Sequence, residues 1–190
     1  LAKKYQDLFL ADTITLLQTK EHEFRLTALM LLVKRYEAGT PKEQKIIIDL
    51  YLANTKWINN WDLVDASAHY ILGDFLLRYK NEKQTLSLLQ KLARSQDLWE
   101  RRIAMVATWA FIQAKNPEPT FVLAQTLLVD TEDLMHKAVG WMLREVGKYC
   151  GQPTLRGFLD QYAGTLPRTA LRYSLEHFSE PLRKKYMKQK

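Results

Sequence analysis

Trp61 and Asp65 lie four residues apart in the stretch Asn59-Asn60-Trp61-Asp62-Leu63-Val64-Asp65. On a helix that spacing puts an indole and a carboxylate on one face. A carboxylate beside an aromatic plate builds a core poorly, but it holds a cation well. Asn60 suits the N-cap of such a helix, and Asp62 falls in the first turn, where the helix dipole favours negative charge. The same residues also fit a plainer arrangement of two capping acids and one core tryptophan. The stretch alone leaves both readings open.

A second cluster sits in the segment Thr131 to Tyr149. On a helical wheel Met135, Ala138, Val139, Met142, Leu143 and Val146 cover one side. Lys137, Trp141, Arg144 and Lys148 fall on the opposite side, within about a sixth of a turn of one another. A tryptophan set among three cations and away from the apolar side is expected to face a ligand. Aromatic rings interleaved with Arg and Lys suit a sugar-phosphate backbone, since cations neutralise phosphates and a flat ring packs on sugar or base. The segment Asp97 to Ala114 is apolar nearly all round, so Trp99 and Trp109 are expected in the core. Arg102 on that segment then needs an anionic partner.

Helices must position these residues, for almost nothing in the chain reads as a strand. Turn and cap signals predict helices over Tyr5 to Gln18, His22 to Glu37, Lys42 to Asn54, Asn60 to Tyr79 with a kink near Gly73, Glu82 to Arg94, Asp97 to Ala114, Thr120 to Val129, Thr131 to Tyr149 with a capping-box-like start, Thr154 to Tyr162 and Pro167 to Phe178. The basic end around Lys184, Lys185, Lys188 and Lys190 reads as a solvated tail. Long and short helices alternate with a period of roughly 35 to 38 residues, which predicts an all-α solenoid of HEAT-like or armadillo-like pairs. A basic residue stands before a small or apolar run at Arg25, Arg102, Lys137 and Arg168. Repeated at one point of a stacked helix, such residues form a basic stripe on the concave face of a curved array.

The 190 residues carry a net charge of +7, which favours an anionic partner, and 47% are apolar, which favours a globular chain over a disordered one. They bound one HEAT-like domain over 1–190. Cys150 is the only cysteine, so no disulfide forms within the chain, which fits a reducing, cytoplasmic setting. No apolar run approaches the ~20 residues of a membrane span. His22, His69, His136 and His177 fall in separate repeats without metal-ligand spacing, so no metal site is expected.

Three ordered motifs carry a resemblance. Asn60-Trp61-Asp62-Leu63-Val64-Asp65, Trp99-Glu100-Arg101-Arg102 and Lys137-Ala138-Val139-Gly140-Trp141-Met142-Leu143-Arg144-Glu145 resemble the AlkD-type alkylpurine DNA glycosylases, bacterial repair proteins built from HEAT-like repeats. The resemblance runs from about His22 to the C-terminus and includes Arg168-Thr169-Ala170-Leu171-Arg172-Tyr173. It implies that Asp65 is the catalytic aspartate, that Trp61 and Trp141 pack along the backbone of the lesion-bearing nucleotide, that Arg102 contacts DNA close to the lesion, and that Arg144 supports it. Lys137, Lys148 and Arg168 would complete a basic DNA-binding face. The implied reaction is hydrolysis of the N-glycosidic bond of N3- or N7-alkylated purines in duplex DNA, with the base left in the duplex. No cofactor, membrane or obligate protein partner is implied, and the chain is expected to act as a monomer. The family usually carries further helices in front, so an N-terminal segment is expected to be missing. Two rivals remain: a non-catalytic HEAT-repeat DNA-binding protein, and a helical scaffold for a protein partner.

Overall fold

The computed structural model describes residues 8–189, and those residues are helical with no strand. The elements are α1 (Leu10–Leu17), α2 (His22–Ala38), α3 (Pro41–Ala53), α4 (Trp61–Asp65), α5 (Asp74–Tyr79), α6 (Glu82–Ala93), α7 (Leu98–Ala107), α8 (Trp109–Gln113), α9 (Glu118–Thr126), α10 (Asp133–Tyr149), α11 (Gln152–Tyr162), α12 (Arg168–Ser174) and α13 (Glu180–Met187). Tyr5, where the leading helix was expected to start, lies outside the described residues. Among them, no helix is long and apolar enough to cross a membrane.

The pairs stack as the sequence period requires. α2 packs on α4, α4 on α7, α7 on α10 and α10 on α12, so the members that carry the motifs form one row. α3, α6, α9 and α11 pack behind them. The apolar core runs through the stack from Leu17 to Tyr186. Two glycines let the row close. A Cβ at Gly73 would come within 2.3 Å of the Ala107 carbonyl oxygen, and one at Gly140 within 2.5 Å of the Ala170 oxygen.

Local chemistry sets the helix starts. Thr40 and Glu43 form a reciprocal capping box with Pro41 in the first turn of α3, and Asn81 with Gln84 does the same for α6. Asp97 accepts the Trp99 N–H at 2.8 Å to start α7. Two predicted starts differ. Asn60 holds the N-cap position of α4, but its side chain makes no capping bond. Asp62 takes that role by accepting the Leu63 N–H at 2.8 Å. No box forms at Thr131; Asp130 accepts the Glu132 N–H at 3.0 Å, and α10 begins at Asp133.

The longest predicted helices are interrupted. Asn60 to Tyr79 is broken after Asp65, where Ser67 Oγ donates to the Leu63 carbonyl at 2.6 Å, and then passes through a π-helical turn over His69–Gly73. Asp97 to Ala114 is split at Thr108, whose hydroxyl donates to the Met105 carbonyl at 2.7 Å. α4 has only five residues and could not persist alone. Fully buried Leu63 and Val64 pin it, each worth about 1.5–3 kcal/mol. The basic end is a helix rather than a tail. Tyr186 of α13 is fully buried and donates its hydroxyl to Asp160 at 2.7 Å, which leaves Lys184 and Lys185 exposed on the other side.

Candidate active site

A cleft of about 470 Å³ opens on the row of motif-bearing helices. Its lining is Trp61 and Asp65 from α4, Arg102 from α7, Leu134, Lys137, Trp141 and Arg144 from α10, and Tyr173 from α12. Residues 112 positions apart in sequence therefore share one cavity, because each sits on a different member of the stack.

The buried charge pair at its floor is the tightest feature. Arg102 is 5% exposed, and its guanidinium grips Asp65 in two places, Nε to Oδ1 at 3.0 Å and Nη2 to Oδ2 at 2.8 Å. Nη1 donates to the Leu134 carbonyl at 2.7 Å. Each guanidinium nitrogen thus has a partner, as a buried cation requires. Burial holds the Asp65 carboxyl above the ordinary aspartate range, while the Arg102 hydrogen bonds and charge pull it back and the nearby Asp62 charge adds to the rise. Each carboxylate oxygen keeps a second acceptor direction, and the side chain stays 19% exposed to the cleft. Trp61, at the mouth, is 53% exposed. An exposed indole four residues from a half-buried carboxylate leaves little of the core-tryptophan reading.

The other cleft cations also carry carboxylates. Lys137 pairs with Asp133 at 2.8 Å, one helical turn before it. Arg144 is held by Glu145, through Nε and Nη2 at 3.2 and 3.0 Å, and through Nη1 by Glu176. Sequence reasoning missed these acids. Asp133 was findable from its i, i+4 spacing to Lys137, and Glu145 from adjacency, but Glu176 comes from the next repeat and only stacking brings it near. Lys148 and Arg168 do not line the cleft. The Lys148 ammonium lies 5.0 Å from the Tyr149 ring centroid, and Arg168 donates to the Met187 carbonyl at the end of α13 at 2.6 Å. Arg25 of the expected stripe has a buried Nε without a partner.

Trp141 is less detached from the core than its helical face implied. It is half-buried, and its ring meets Trp109 edge-on at 5.3 Å and 69°. Trp109 is likewise half-buried rather than fully in the core. Truncating Trp141 to Ala is therefore expected to cost about 1–3 kcal/mol, below the ~3–5 kcal/mol of a fully buried aromatic. Thermal melting of the variant measures it, and a loss at the upper figure would place the ring wholly in the core.

The match of a protein-family model is nearly as long as the chain: the model for the DNA alkylation repair enzyme family covers residues 1–178. Among solved structures, the chain is similar to a predicted DNA alkylation repair enzyme from Enterococcus faecalis, with a TM-score of 0.71 at 17% identity over 94% of this chain and 81% of that one. At that identity the likeness speaks to the all-α fold. No curated protein matches the chain. With a family model spanning the stack and all three motifs, the chain belongs to the DNA alkylation repair enzyme family.

Proposed function

We propose that the protein is a DNA glycosylase that hydrolyses the N-glycosidic bond of cationic N3- or N7-alkylated purines in duplex DNA. The observation that carries this reading is the Asp65 carboxylate, open to a cleft walled by Trp61 and Trp141 and oriented from behind by Arg102.

The chemistry asks for little else. An alkylated purine already bears a positive charge, so it leaves with the electron pair of the bond to the sugar and needs no general acid. The barrier lies in the cationic sugar that develops as that bond breaks. An ionised carboxylate beside it stabilises the charge, as in glycoside hydrolysis. Water then attacks the anomeric carbon, its proton passes to Asp65 or to solvent, and the products are an abasic site and a neutral base. The two indoles pack along the sugar-phosphate backbone on either side. Arg102 keeps Asp65 pointing outward and limits the rise of its pKa.

Lesion charge tests the reading. In duplexes of one sequence, 7-methylguanine should be released while uncharged uracil and 8-oxoguanine are retained. Equal release of all three would point to acid-assisted chemistry instead and exclude this mechanism.

Binding carries its own expectation. Duplex affinity should fall linearly with salt on a log–log plot, and Lys137→Ala should lower the slope by about one unit. Because Lys137 and Arg144 are paired in the free protein, phosphates must displace Asp133 and Glu176 to reach them. Affinity measured across a salt series checks this, and indifference to salt would remove the phosphate-tracking face.

A further inference from the structure

A second groove lies between α2, the His69–Gly73 turn, α5 and α8, and the reaction described above makes no use of it. The groove holds about 510 Å³ between Tyr36, the His69–Asp74 segment, Arg78 and Trp109. That is the size of a small-ligand site.

Three observations single it out. The backbone over His69–Gly73 is π-helical, a widened turn that recurs at functional sites. His69 is 8% exposed, and its Nδ1 has no hydrogen-bond partner; Trp109 Nε1 is likewise buried and unpaired. Buried polar atoms are almost always paired, so two orphans on one groove wall call for an explanation. The walls, finally, are flat rings. Tyr70, 45% exposed, lies 3.8 Å from His69 centroid to centroid, and His69 lies 4.7 Å from Trp109.

The chemistry of the lining narrows the ligand. Arg78 is committed to Asp74 at 2.9 Å, and Tyr36 donates to the same carboxylate at 2.9 Å. With Glu37 also in the lining, a phosphate finds no free cation there. Burial lowers the His69 pKa to about 4, so the ring is neutral near pH 7 and offers one N–H and one lone pair. Trp109 offers an N–H. A neutral, planar, hydrogen-bonding ring is what these groups suit.

We propose that this groove binds a nucleobase, which displaces the Tyr70 ring from His69, stacks between the aromatic walls and pairs with the His69 and Trp109 ring nitrogens. Two sources share that chemistry. One is a base of the bound strand. The other, which rests on the glycosylase reading, is the neutral base just released; Trp109 touches Trp141 of the cleft, so the two cavities share a wall.

The test uses 2-aminopurine, whose fluorescence is quenched by stacking. The intact protein is titrated into free 2-aminopurine and, separately, into a duplex carrying 2-aminopurine beside a stable abasic analogue. Saturable quenching of the free probe supports capture of a released base, and a saturable change in the emission of the duplex probe alone, as it leaves the base stack, supports a base of the strand. In either arm Tyr70→Ala should weaken binding by about tenfold or more, the scale of one base–aromatic stack. Trp109→Phe, which keeps a ring and removes the N–H, should weaken it too. Tyr70 is a surface ring, so its truncation leaves the fold intact. No saturable change in emission in either arm, or one that survives both groove variants, overturns the proposal. Neither arm breaks a glycosidic bond, so a negative result here leaves the glycosylase reading standing, and failed base release leaves this one standing.

Discussion

Asp65→Asn is expected to slow release of 7-methylguanine by ~10²-fold or more, the scale of one preorganised electrostatic group, while duplex binding persists. The substitution keeps the shape of the side chain and removes the charge that faces the developing sugar cation. It also leaves Arg102, almost wholly buried, without its counter-ion. Stability should therefore fall as well, so the rate is to be compared below the melting transition of the variant. The wild-type pH profile follows from the same carboxyl. Because burial raises the Asp65 pKa, activity should fall on acidification through an acidic limb above the ordinary aspartate range. No basic limb is expected, since no general acid is required. A variant that releases base at the wild-type rate would remove Asp65 from the reaction.

Arg102→Met should be the most destabilising single change at the site. Removing one partner of a buried pair typically costs about 3–5 kcal/mol, because the remaining charge is left uncompensated. The deficit should depend on pH in a defined sense. Without Arg102 the Asp65 pKa rises further, so the folded state binds its proton more tightly than the unfolded chain does. Stability of the variant then improves as pH falls through the folded pKa toward the unfolded one, and the deficit is largest at neutral pH. Surviving activity should show its acidic limb moved up by about one to three pH units. Chemical denaturation of both proteins at neutral and mildly acidic pH measures the effect. A deficit independent of pH would mean that Asp65 is not the group left exposed to burial.

Much of this arrangement was readable before the structure. The i, i+4 spacing of Trp61 and Asp65 placed them on one helix face, and the apolar surroundings of Arg102 demanded an anion, which the structure supplies as Asp65 itself. The all-α stack followed from period and caps. What the sequence concealed depends on stacking and on local breaks within long helices. Glu176 reaches Arg144 from the neighbouring repeat, a contact that no window along the chain contains. The breaks after Asp65 and at Thr108 fall at residues that helical periodicity treats as ordinary. In α13 one buried tyrosine among lysines outweighs a composition that reads as solvent-exposed. Trp141 shows the same effect within the site: the wheel put it opposite the core of its own helix, but Trp109 of the adjacent repeat packs against that opposite face.

The central claim is that this cleft breaks a glycosidic bond. The most direct measurement is a single-turnover incubation of excess protein with duplex DNA carrying one 7-methylguanine, scoring free base and abasic strand against spontaneous loss from the same duplex. The account predicts stoichiometric appearance of both products well above the spontaneous rate. A protein that binds the duplex in a salt-dependent manner yet leaves base loss at the spontaneous rate would contradict it and establish a binding-only role.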